Sequence, residues 1–116
     1  MSEIQRYRVG QRYSQVTIHQ GVIYLAGQVA SDVTQDVQGQ TRQVLASVDA
    51  LLSEHGSDKG KLLSCQIFLS DMSQIAAMNE VWDAWVVPGQ APPRATVGAA
   101  LASAEKLIEI VVTAAR

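Results

Sequence analysis

The hydrophobic period of this 116-residue chain switches four times between two and about 3.6, and that succession constrains its fold more than any other feature. "SQVTIHQGVIYLAGQV" alternates apolar and polar residues on either side of His19-Gln20-Gly21, which predicts two strands joined by a tight hairpin with His19 in the turn. In "QTRQVLASVDALLSEHG" the residues Val44, Leu45, Val48, Leu51 and Leu52 recur at helical spacing, Gly56 supplies the stop, and His55 falls in the last turn. "KLLSCQIFLSD" is short and apolar and reads as a central strand with Leu63, Cys65, Ile67 and Leu69 on the core face. A second helical stripe of Ile75, Met78, Val81, Trp82 and Trp85 follows and ends at Pro88-Gly89. "RATVGAAL" and "KLIEIVVTAA" then read as two further strands. The order β-β-α-β-α-β-β predicts a single two-layer α+β domain over residues 1–116, with both helices on one face of a mixed sheet.

Composition narrows the partners. Hydrophobic residues make up 47% of the chain, enough for a core, while only 17% are charged, which points to a surface partly covered by other copies. A net charge of −2 gives no electrostatic footprint for nucleic acid. The one basic cluster, Arg6, Arg8 and Arg12 interleaved with Tyr7 and Tyr13, reads as a solvated or interface-forming segment. No apolar run approaches the ~20 residues of a membrane span, and "MSEIQRYRVGQRYSQ" is too polar for a secretory signal, so a cytoplasmic protein is expected. The single Cys65 allows neither an internal disulfide nor a thiolate cluster, and no structural metal is expected.

One residue resists this pattern. Glu109 stands inside the apolar run "LIEIVVTAA", where an unpaired carboxylate is costly to desolvate. If the last two strands form an antiparallel hairpin across "ASAE", alternation turns Ile108, Ile110, Val112 and Ala114 toward the helices together with Ala95, Val97, Ala99 and Leu101. The opposite face then collects Leu107, Glu109, Val111 and Thr113 with Arg94, Thr96 and Gly98. Glu109 would stand opposite Thr96 or Gly98, one or two same-face steps of about 7 Å from Arg94. Two readings follow. In the structural one, Arg94 and Glu109 form a cross-strand ion pair or Glu109 caps a neighbouring subunit; in the other, they bracket a small carboxylate ligand, with the guanidinium as a bidentate clamp and Gly98 leaving room.

"YLAGQV", "QTRQVLASVDALL", "CQIFLSDMSQIAAMNEVWDAW", "PGQAPPRATVGAAL" and "LIEIVVTAA" together resemble, in order and spacing, the Rid family (RidA, also called YjgF) over nearly the whole chain. Its most specific elements are Asp-Met followed by Met-Asn-Glu on the second helix, Pro-x-Arg opening the next strand, and the Glu of the last. The resemblance implies a chorismate-mutase-like fold, a homotrimer with a central barrel of sheets, and three sites between subunits. It also implies cofactor-independent hydrolysis of reactive 2-imino acids, derived from 2-aminoacrylate or its homologue, to 2-oxo acids and ammonia. By position, Arg94 is the carboxylate clamp and Glu109 orients the attacking water. Tyr13 lines the site from an adjoining subunit, Asn79 orients or fixes, Gly27 permits close backbone approach, and Thr96 stands where archetypal members carry cysteine. Ala26 replaces a family serine and removes a hydroxyl. A contrasting expectation is a non-catalytic trimer that binds a small carboxylate metabolite and reports it to a partner. Endoribonuclease activity, also ascribed to family members, finds little support in the acidic charge balance.

Overall fold

The computed structural model describes residues 3–116; Met1 and Ser2 of the expected domain lie outside the described residues. Strands β1 (Gln5–Val9), β2 (Ser14–His19), β3 (Val22–Leu25) and β4 (Gln28–Val29) precede helix α1 (Val37–Glu54). Strand β5 (Leu62–Leu69), helix α2 (Ile75–Trp85), β6 (Arg94–Gly98) and β7 (Ile108–Ala115) follow. The expected order is present, with β1 added and the second expected strand divided into β3 and β4. Strand β1 carries no apolar alternation: it is held by antiparallel pairing with β2 and by the Tyr7 ring, whose centroid lies 4.5 Å from that of His55.

The β2–β3 turn uses Gln20 (φ 51°) and Gly21 (φ 78°), the two left-handed positions that match hairpin twist. His19 is not in that turn; it closes β2 opposite Val22. Helix α1 begins at Val37, seven residues before the apolar stripe, because Asp36 caps it, accepting from the Gly39 N–H at 2.8 Å. At its other end His55 is the C-cap residue and Gly56 turns left-handed at φ 79°. On β5 a register shift between Leu62 and Ser64 seats Leu62 in the core and turns Leu63 outward, so the expected place of Leu63 on the core face is corrected to Leu62.

The larger correction concerns the C-terminal strands, which are not a hairpin. The sheet order is β1-β2-β3-β7-β5-β6, with β4 also paired to β7. Strand β6 runs parallel to β5, and β7 is inserted antiparallel on the other side of β5. Two causes act together. The β5-α2-β6 unit is a helical crossover, which joins parallel neighbours. The strand with an unbroken apolar face, Ile108, Ile110, Val112 and Ala114, all buried, takes the centre. The connection through residues 99–107 is held by the fully buried Gln40, whose amide donates to the carbonyls of Gln35 (3.1 Å) and Glu105 (2.9 Å) while its Oε1 accepts from the Leu107 N–H (3.0 Å). Both helices cover one face of the sheet, and the core between the layers runs from Val16, Ile23 and Ile67 to Val44, Leu52, Met78 and Trp82. Among the described residues, no helix is long and apolar enough to cross a membrane.

Candidate active site

Pairing register assigns each candidate residue to a face. Cys65, Ile67 and Leu69 of β5 are buried under the helices, and their parallel partners are Arg94, Thr96 and Gly98. These three therefore face the helix layer, and Ala95 and Val97 face away, the reverse of the expectation. Glu109 pairs with Phe68, whose own partner on β6 is Val97, so Glu109 stands on the helix-free face as expected. Arg94 and Glu109 thus lie on opposite faces, two strands apart and three residues out of step. That separation is about 14 Å between their Cα atoms, and it rules out the cross-strand ion pair within one chain.

Arg94 belongs instead to a cluster at the edge of the sheet. Its guanidinium carbon lies 5.0 Å from the ring centroid of Trp82 on α2. At the other end of the same flank the Met72 side chain fills the space beside Gly98, its Cγ 3.0 Å from where a Cβ would stand. Gly98 therefore leaves room for Met72 rather than for a ligand. Asn79 stands one turn before Trp82 on α2, the helix that carries the ring over Arg94. Three polar atoms in this cluster, Asn79 Oδ1, Arg94 Nη1 and Thr96 Oγ1, are buried and have no hydrogen-bond partner among the described residues. Native structures rarely leave such atoms unpaired without a reason. Beneath Arg94, burial pushes the Cys65 thiol up to about 12 against the pull of the guanidinium charge, so the thiol is neutral.

Gly27 belongs with Glu109, not with this cluster. A Cβ on Gly27 would stand 2.8 Å from Glu109 Cδ and would meet the carboxylate oxygen Oε2. The missing side chain is the space that the carboxylate occupies, with Val29 of β4 paired directly opposite Glu109. Tyr13 lies apart from both groups, in the β1–β2 connection where the Gly10 N–H donates to the Tyr13 carbonyl at 2.8 Å. Tyr13 is 63% exposed. The six candidate residues thus fall into three places: Arg94, Thr96 and Asn79 at the sheet edge; Glu109 and Gly27 on the helix-free face; and Tyr13 on a protruding turn. Sequence reasoning missed Trp82 as part of the site, although its i, i+3 spacing from Asn79 was visible. Among the described residues no cluster of His, Cys, Asp and Glu is arranged to hold a metal.

The family model described as Endoribonuclease L-PSP matches residues 3–116. A RutC family protein of Haemophilus ducreyi is 43% identical over 112 residues, covering 97% of this chain and 96% of that protein. The crystal structure of a member of the YjgF protein family from Neisseria meningitidis superposes with a TM-score of 0.95 at 42% identity, over 98% of this chain and 95% of that one. A Yersinia pestis protein described as of the conserved Rid protein family gives 0.88 at 26% identity, with both chains fully covered. The chain belongs to the Rid (RutC/YjgF) family.

Proposed function

We propose that this single-domain chain is a cofactor-independent imine deaminase whose site is completed between subunits of a homotrimer. One observation carries the reading: Arg94 Nη1 and Thr96 Oγ1, on the helix-side face of β6, and Asn79 Oδ1, one turn from the Trp82 ring that lies over Arg94, are buried without hydrogen-bond partners among the described residues, while the carboxylate that would complete the chemistry stands on the opposite face. No one chain can bring Arg94 and Glu109 together, but a neighbouring copy can present its Glu109, Gly27 and Tyr13 to the first copy's Arg94, Thr96 and Asn79. The helix-free face supports assembly because it exposes Tyr24, Leu63 and Val97.

In this site Arg94 holds the carboxylate of a small 2-imino acid, and Asn79 Oδ1 accepts from its nitrogen. Glu109 of the adjoining copy takes a proton from water as the water oxygen bonds to C2 and the C=N electron pair moves to nitrogen. Glu109 passes that proton to the nitrogen, the C–N bond breaks as the C2 hydroxyl gives its own proton to Glu109 and becomes a carbonyl, and ammonia and a 2-oxo acid leave while Glu109 returns the proton to solvent. Protein groups suffice because a protonated imine is already electrophilic.

The test is complementation between two inactive variants. Arg94→Ala and Glu109→Gln, each alone, should lack hydrolysis of imines generated by an amino-acid oxidase. Random mixed trimers of the two should regain about a quarter of wild-type activity, since one site in four receives both intact groups. Mixed trimers with no activity above the parents would refute the shared site. A wild-type protein that binds a 2-oxo acid but accelerates no imine hydrolysis would favour the metabolite-binding reading.

A further inference from the structure

We propose that Trp82 is the positioning residue of the Arg94 clamp: its indole face holds the guanidinium by stacking, so that the N–H edge stays free for a ligand carboxylate. This rests on the clamp reading of Arg94. A carboxylate partner would also fix an arginine, but it would occupy the N–H groups that the ligand needs and compete with it. No such partner exists among the described residues of the same chain. Arg94 makes no ion pair with any described residue, and its Nη1 is buried without a hydrogen bond. The group beneath it, Cys65, is a neutral thiol in the core.

What does hold the guanidinium is the Trp82 ring, 5.0 Å from its central carbon. An aromatic face attracts the cation through its quadrupole and takes none of its donors. The ring is itself fixed: Trp82 is 5% exposed, anchored in the core by α2, and tilted against Trp85 at 5.4 Å between centroids. Trp85 is pinned in turn by its Nε1–H donating to Asp49 at 2.9 Å. An edge-strand arginine on a flexible stem is thereby ordered before any ligand arrives, and the entropy of ordering it does not weaken binding.

The first experiment uses Trp85→Phe protein, in which Trp82 is the sole tryptophan. Titration with pyruvate, followed by emission and by calorimetry, should give a saturable change in Trp82 fluorescence that Arg94→Ala abolishes. Calorimetric binding with no change in emission would overturn the proposal. In the second experiment Trp82→Phe, which keeps an aromatic face, should bind pyruvate within about threefold of wild type, and Trp82→Leu should bind about tenfold more weakly. Trp82→Leu that assembles and binds as wild type, while Arg94→Ala does not bind, would sink the positioning role and leave the clamp standing. Arg94→Ala that binds normally would sink both. Should Trp82→Leu fail to fold, the fluorescence titration decides alone.

Discussion

Replacing Gly27 by alanine tests the site through a single methyl group. The backbone at Gly27 is not among the left-handed glycines, so alanine is conformationally permitted there. The new Cβ would stand 2.8 Å from Glu109 Cδ and 3.1 Å from Cγ, so the carboxylate must withdraw by about 1 Å to reach ordinary carbon contact near 3.5–4.0 Å. Because the displaced atoms are the far end of a flexible side chain, overpacking should cost only about 1 kcal/mol. The lower entropy of the unfolded alanine chain offsets roughly 0.4–1 kcal/mol of that, so Tm should hold within about 5 °C. Catalysis should respond very differently. A misplacement of about 1 Å in the group that activates water can lower turnover on the order of 100-fold. The assay is oxidase-coupled imine hydrolysis beside thermal unfolding on the same preparation. Full activity in Gly27→Ala, at any Tm, would show that the position of this carboxylate does not limit the reaction.

Glu109→Gln should keep pyruvate binding by calorimetry while hydrolysis falls about 100-fold; full activity with reduced stability would return Glu109 to a structural role. Asp36→Ala removes the acceptor for the Gly39 N–H and should cost about 1 kcal/mol in denaturant unfolding, with kcat unchanged. The Cys65 thiol should resist alkylation at pH 8 in the folded protein and react only on unfolding. Its folded pKa is raised from 9.0 to about 12, so its contribution to stability is present in full below pH 9 and is lost as pH rises toward 12. Cys65→Ala should flatten that part of the stability profile, and an identical slope in both proteins would contradict the assignment.

Local patterns along the chain were enough to mark the elements and most of their inner faces. Period-two alternation marked β2, β3 and β7, helical spacing marked α1 and α2, and the apolar side of β7 lies under the helices as its pattern required. These are local signals, each written within one segment. Strand β1 escaped because it is mostly exposed and burial left no pattern in it, and the break that divides the second strand into β3 and β4 left none either. The residues of the site were legible as types through family resemblance, and Glu109 stood out because a carboxylate interrupts an apolar strand.

Which strands are neighbours became visible only in the folded sheet. Alternation repeats every two residues whatever the partner, so it cannot distinguish a β6–β7 hairpin from β7 inserted between β3 and β5. That one choice moved Arg94 to the helix side of the edge strand, put it against Trp82, and left Glu109 on the opposite face in the space beside Gly27. Pairing between distant segments is a property of how the apolar faces pack together, and it is carried by no single segment of the chain.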